Sequence, residues 1–388
     1  MIKSAERLSN FGEYYFSRKL DEIRKMNEHG DMVLNLGIGS PDLPPPQNVI
    51  DKLKTTTDNA ANHSYQSYRS IKPLREAYAS FYKAHYRVTL DAEKEVLPLL
   101  GSKEGVMYVS MAFLNPGDVV LIPNPGYPAY GAVATMIGAK PICYDLGSEN
   151  GWNPDFSNLD AETLEKAKIL WVNFPNMPTG QDASNEIFQE LVAFGKKHDI
   201  LICNDNPYSF ILNDNPKSIL EFDEAKEHCI ELNSLSKSFN MAGWRVGFVT
   251  GHEDYINAIL TVKSNVDSGM FKPVQEAAIE ALKTPKSWFA KMNAVYGERK
   301  KSAIALLEHI GCFVENNQVG MFVWAKIPEG NKSEIFIDEI LQQSRVFITP
   351  GTIFGSNGEG YVRVSLCSTE ADFNRSIERI EKTMLINN

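Results

Sequence analysis

The residue best placed for covalent chemistry is Lys237, in Asn233-Ser-Leu-Ser-Lys-Ser-Phe-Asn-Met-Ala-Gly-Trp-Arg-Val-Gly247. A lysine that forms Schiff bases must shed its proton near neutral pH, which takes partial burial or a neighbouring cation. Ser234, Ser236 and Arg245 lie close to it in sequence. Two hydroxyls and a guanidinium fork are the groups a phosphate binds. Taken alone, the segment also fits a surface lysine in a polar loop.

Four further segments carry side chains with chemical potential. Cys203-Asn-Asp-Asn-Pro-Tyr208 follows the apolar run ILIC. A carboxylate at the end of a buried strand is expensive unless it meets a cation, and a pyridinium nitrogen is one such cation. Asp205 would hold that ring protonated as an electron sink, with Tyr208 reaching the ring's phenolate oxygen; the other reading makes Asp205 a turn former beside Asn and Pro. Leu100-Gly-Ser-Lys-Glu-Gly105 opens a helical stretch, so the free amides of Ser102 and Lys103 would face an anion. Asn124-Pro-Gly-Tyr-Pro-Ala-Tyr130 offers Tyr127 as an aromatic plate for a planar ring, or simply as packing. Arg363 sits inside the apolar strand Tyr361-Val-Arg-Val-Ser365. An arginine there implies an anionic partner, either a substrate carboxylate held bidentately or a structural salt bridge.

The elements that must position these residues are legible as pattern. Continuous apolar runs at Val119–Pro123, Ile169–Phe174, Ile200–Asn204 and Gly247–Thr250 predict buried strands, with helical periodicity at Ser102–Phe113 and Asn185–Lys197. Such alternation predicts an α/β fold: a mostly parallel sheet covered by helices on both faces, with ligands beyond the strands' carboxyl ends. The last third reads as α+β. A long helix from about Thr284 to His309 is followed by strands at Gly320–Ala325 and Tyr361–Leu366 and a helix at Glu370–Leu385. We expect a large domain over 45–280 and a smaller one from 1–44 with 281–388, the N-terminal arm packing on the latter.

Bulk properties exclude several classes. The chain has 388 residues, 43% hydrophobic and 23% charged, and a net charge of −10, which argues against a nucleic-acid-binding surface. No apolar run is long enough for a membrane span, and the polar N-terminus lacks a signal-peptide core, so a cytoplasmic protein is expected. Five scattered cysteines without a C-x-x-C pair fit reduced thiols, and the seven histidines show no metal-ligand spacing, so no metal is expected. The G-x-G-x-x-G and P-loop fingerprints are missing as well, which disfavours an oxidoreductase.

Together these motifs resemble the fold-type I pyridoxal-phosphate (PLP) enzymes, specifically the class I/II aminotransferases. The likeness runs from Asn35-Leu-Gly-Ile-Gly-Ser-Pro-Asp42 to Arg363, in the family's order and spacing. It implies that Lys237 carries the cofactor as a Schiff base and then shuttles the proton between Cα and C4′. It also implies Asp205 at the pyridine nitrogen, Tyr208 at the phenolate oxygen and Tyr127 stacked on the ring. Ser102, Lys103, Ser234 and Arg245 would hold the phosphate. Arg363 would clamp the substrate α-carboxylate, helped by the backbone near Gly39. The resemblance further implies a homodimer with shared active sites, Tyr65 reaching the neighbouring subunit's phosphate.

The chain departs from the family pattern twice. Asn176-Met-Pro-Thr-Gly180 puts Met177 where relatives carry an asparagine that donates to the phenolate oxygen, and a thioether cannot donate. Asn176 or Asn173 could stand in for it. Loss of the donor should leave the phenolate more basic and raise the Schiff base pKa. Ser70 stands where relatives usually have glycine.

The reaction expected is two-stage transamination between an amino acid and a 2-oxo acid; a PLP-dependent carbon–sulfur β-lyase is the alternative. A ligand-sensing regulator fused to a DNA-binding domain shares the fold, but about forty residues before the first motif leave no room for a winged helix. Substrate choice should lie in the arm around Tyr14–Arg18 and the loop Lys263–Phe271. Lys263 reads more readily as a solvated surface lysine than as a ligand for a distal carboxylate. Motif wording is nearest to enzymes acting on aspartate, alanine, methionine or LL-diaminopimelate.

Overall fold

The computed structural model describes residues 2–10, 15–30, 32–315 and 317–386, so Tyr14 of the expected selectivity segment lies outside the described residues. Eight strands form the main sheet. Their spatial order is 96–99, 247–251, 229–234, 201–205, 167–173, 119–124, 140–146 and 154–155. The five strands from 229–234 to 140–146 run parallel, while 247–251 and 154–155 are antiparallel to their neighbours. The strands are apolar on both faces because helices cover both. One core cluster holds Val172, Ile202 and Phe248, and a second holds Trp171, Cys203 and Val249. Neighbours in sequence thus bury into opposite clusters, as the period-2 geometry of a strand requires.

Helix boundaries follow local chemistry. Asn185–His198 starts where the Ser184 side chain accepts from the Ile187 amide at 3.3 Å and stops at Asp199 in the left-handed region. Lys286–His309 ends ahead of Gly311, whose φ of +78° turns the chain.

The C-terminal region carries a second, antiparallel sheet in the order 313–314, 322–326, 361–365, 349–350. Residues 34–35 pair in parallel with 346–347, which ties the N-terminal arm to this region. The C-terminal sheet sets Arg363 opposite both Trp324 and Thr349.

Strand register gathers the chemistry on one edge of the main sheet. Asn173 pairs with Asp205, and Gly247 pairs with both Leu99 and Ser234. The carboxyl ends of the parallel strands and the start of the helix Ser102–Phe113 therefore converge on one place.

Candidate active site

At that edge lies a cavity of about 320 Å³. Its walls include Ser102, Lys103, Tyr127, Asp205, Tyr208, Ser234, Lys237, Arg245, Gly39 and Arg363, all expected from sequence. Tyr65, expected to serve the neighbouring subunit's site, is 90% exposed and lies outside this cavity.

Lys237 lies in the single helical turn Leu235–Ser238 that follows the strand 229–234, and its Nζ donates to the Gly39 carbonyl at 2.5 Å. Its ammonium pKa is lowered, first by burial; the Cys367 thiol opposes the shift, and the Arg363 and Arg245 cations add to it. An amine made easier to deprotonate is what Schiff-base chemistry requires.

Asp205 is buried at the end of its strand. Its Oδ2 accepts from the Tyr130 hydroxyl at 3.0 Å, while its Oδ1 has no partner among the described atoms. Burial pushes the carboxyl up to about 7, with Tyr130 opposing that rise and Glu231 adding to it. An orphaned, buried carboxylate oxygen lining a cavity is set up to meet a cationic nitrogen, so the site fits a protonated pyridine ring.

The opposite end of the cavity is shaped for an anion. Gly101 has φ +90°, and a side chain on it would collide with the Arg245 guanidinium. A Cβ on Gly247 would lie 2.5 Å from the Ser102 amide nitrogen. Both glycines thus leave the helix N-terminus open beside Arg245. Ser234 caps the Lys237 turn and bonds Ser236 at 2.8 Å, and Arg245 Nη1 reaches Ser236 Oγ at 3.3 Å. The donor set fits a phosphate.

Arg363 lies buried at the third corner. Its Cζ sits 4.0 Å above the Phe322 ring and 4.6 Å from the Phe354 ring. Nη2 donates to the Gly37 carbonyl at 2.8 Å, and Nη1 contacts the Met177 sulfur at 3.2 Å. Gly39 makes room for this box, since a Cβ there would meet Phe322 at 2.5 Å.

Several site residues carried no role in the sequence reading. Tyr130 stacks on Trp171 at 5.0 Å and holds Asp205; its signal was its place three residues after Tyr127, at the start of a helix. Phe322 and Phe354 line the cavity from two distant segments, and no local pattern marks them; Phe16, which lines it too, falls in the arm segment Tyr14–Arg18 where substrate choice was expected. Of the two asparagines expected to stand in at Met177, Asn176 closes a turn on Thr179 and does not line the cavity. Asn173 does line it, but its amide donates to the Asp205 carbonyl at 2.6 Å and accepts from the Met177 amide at 2.8 Å.

Lys263 corrects an expectation. It is 1% exposed, not solvated, and its ammonium pairs with Asp267 at 2.8 Å. Asp267 also receives the Gly269 amide at 2.8 Å, so the loop folds inward around the carboxylate and takes the lysine with it. Ser70 takes φ +63°, a left-handed backbone in which glycine would be unstrained.

The family model described as "Aminotransferase class I and II" matches residues 31–380. The chain belongs to this family, and it is a PLP-dependent aminotransferase. It is 39% identical over 384 residues to an LL-diaminopimelate aminotransferase of Halothermothrix orenii, covering 98% of this chain and 99% of that one. It is 40% identical over 385 residues to an LL-diaminopimelate aminotransferase of Maridesulfovibrio salexigens, covering 98% of this chain and 99% of that one. Among solved structures, apo-BacF from Bacillus subtilis superposes with a TM-score of 0.94 at 38% identity, covering 98% of each chain. Nothing in these relatives supports the carbon–sulfur lyase alternative. No described helix is long and apolar enough to cross a membrane.

Proposed function

We propose that this aminotransferase runs both half-reactions on the residues gathered around Lys237. When bound, PLP supplies an electron sink for the charge left on the substrate Cα. Asp205 would keep its ring nitrogen protonated, Tyr127 would cover the ring, and Tyr208 would donate to its phenolate oxygen. The Ser102 and Lys103 amides, Ser234 and Arg245 bind its phosphate. Arg363, aided by the backbone at Gly39, fixes the substrate α-carboxylate. That would bring the Cα proton within reach of the Lys237 amine, which would act as the general base that takes it up and gives it back. The observation that carries this assignment is that Asp205, with one partnerless buried oxygen, lines the same cavity as a lysine whose proton is loosened.

We also assign 45–280 to the cofactor domain, 1–44 with 281–388 to the smaller one, and the protein to the cytoplasm. The five cysteines, all free, fit a reducing compartment. A homodimer is favoured by exposed apolar side chains at Tyr65, Tyr68, Val266 and Phe271. In such a dimer Tyr65 would reach the partner's phosphate.

The test is to mix the loaded enzyme with amino donors, then with 2-oxoglutarate or pyruvate, while following the cofactor's absorbance. LL-diaminopimelate, named for the relatives, belongs in that panel. Amination of the cofactor by an amino acid alone, reversed by the oxo acid, supports the proposal. Release of ammonia and pyruvate from cystathionine without amination overturns it.

A further inference from the structure

Two carbonyls of one short segment hold two of the cations that line the cavity. The Gly37 carbonyl accepts from Arg363 Nη2 at 2.8 Å, and the Gly39 carbonyl accepts from Lys237 Nζ at 2.5 Å. Neither glycine has room for a side chain. A Cβ on Gly37 would lie 2.5 Å from Thr349 Oγ1, and one on Gly39 would lie 2.5 Å from the Phe322 ring. Where this segment lies therefore helps to set where both cations lie.

The segment is pinned at both ends. Upstream, the Leu36 amide donates to the Phe347 carbonyl at 2.9 Å, and the Leu36 carbonyl accepts from the Ser365 amide at 2.8 Å. Downstream the chain runs into Leu43-Pro-Pro-Pro46, where three prolines offer no amide to bond. The anchors there are side chains. Asn240 Nδ2 donates to the Pro44 carbonyl at 3.2 Å. Arg299, buried on the helix Lys286–His309, donates through Nη1 to Asp42 Oδ1 at 2.7 Å and through Nη2 to Asp42 Oδ2 at 2.8 Å. A bidentate fork fixes orientation as well as distance. The same Nη1 reaches the Leu366 carbonyl at 3.1 Å, just past the strand 361–365 that carries Arg363.

We propose that Arg299 and Asp42 are positioning residues for the reaction, holding the Gly37 and Gly39 carbonyls where they orient Arg363 and Lys237. The inference rests on the reading of Arg363 as the α-carboxylate anchor and Lys237 as the base. Neither Arg299 nor Asp42 lines the cavity, so both act through the segment between them and the two cations.

The test compares Arg299→Gln and Asp42→Asn with wild type by two readouts. In the cofactor-free protein, phenylglyoxal should label Arg363 roughly five- to tenfold faster in each variant, as when one hydrogen bond no longer holds a group in place. Arg245 should be labelled at the wild-type rate. In the loaded enzyme, kcat/KM of the first half-reaction should fall roughly 10²-fold, the cost of about 1 Å of misplacement. The donor is whichever reacts best among LL-diaminopimelate, aspartate, alanine and methionine. Cofactor affinity should stay near wild type, because Asp205 and the anion cradle lie at the edge of the main sheet. Wild-type Arg363 labelling in both variants overturns the inference, and so does wild-type kcat/KM in both. Equal acceleration at Arg363 and Arg245 overturns it as well, since that marks general loosening. If Arg299→Gln does not fold, Asp42→Asn decides alone, its side chain being 33% exposed. If no donor aminates the wild-type cofactor, the aminotransferase reading fails, and the labelling rates decide the inference.

Discussion

The Tyr130 hydroxyl donates to Asp205 Oδ2 at 3.0 Å, so one carboxylate oxygen is fixed while the other is buried without a partner, in a residue that lines the cavity. Tyr130 is fully buried, stacked on Trp171 and 75 residues away in sequence, so it acts as a rigid clamp. It is a positioning residue for the ring-binding carboxylate.

Tyr130→Phe removes the clamp and leaves both carboxylate oxygens bare. The cofactor-free protein should lose about 1–3 kcal/mol, measured by denaturant unfolding. The cofactor's dissociation constant should rise roughly tenfold, since the lost bond is to a charged group. An unchanged dissociation constant would confine Tyr130 to packing.

Asp205 also gives the cofactor-free protein a pH signature. Its folded carboxyl titrates at about 7, against about 4 when unfolded. Between those values the folded state holds a proton that the unfolded chain has released. Stability from this group is therefore fully present below about pH 4 and is lost as pH rises to about 7, by at most about 4 kcal/mol. Asp205→Asn should flatten that slope, and bound cofactor should offset it by supplying a cation. Parallel stability profiles for wild type and Asp205→Asn would refute the assignment.

Gly247→Ala probes the anion cradle. The added methyl would sit 2.5 Å from the Ser102 amide nitrogen and 2.6 Å from the Gly101 carbonyl carbon. Backbone must move, at a cost of about 1–3 kcal/mol. Because what moves is the start of the Ser102–Phe113 helix, equilibrium dialysis should show cofactor affinity falling about tenfold or more. Wild-type affinity would mean the phosphate binds elsewhere.

Met177→Asn tests the family departure. Met177 lines the cavity and contacts Arg363; Asn176 does not line the cavity, and Asn173 lines it with its side-chain amide already donating to the Asp205 carbonyl. Restoring an amide should stabilise the phenolate and shift the pH titration of the cofactor's absorbance to lower pH. An unchanged or higher midpoint rules the idea out.

What the sequence made legible was local. The run ILWVNF and the pattern NEIFQELVAFGKKH announce their elements through hydrophobic period and capping. Observed strand and helix at 167–173 and Asn185–His198 lie within two residues of those expectations. The strand 140–146 escaped notice because Lys140–Cys143 are exposed or half-buried and only Tyr144 and Leu146 are buried, so no continuous apolar run marks it. The strand 229–234 was hidden by Glu231, a buried carboxylate that only tertiary partners make tolerable. Tyr82 donates to it at 2.6 Å and Asn204 at 2.8 Å. Lys263 was misread for the same reason, since helical period cannot show that Asp267 turns inward to meet it. Lys237, Asp205 and Arg363 could be named because their types are costly where the pattern puts them. Phe322 and Phe354 are ordinary core residues by type, and only the fold shows that they flank Arg363.

The most direct test of the central claim is to reduce the PLP-loaded enzyme with borohydride, digest it and map the label. The account predicts the label on the peptide containing Lys237 and none on a Lys237→Ala protein. Label on another lysine, or an unlabelled Lys237 peptide, would contradict it.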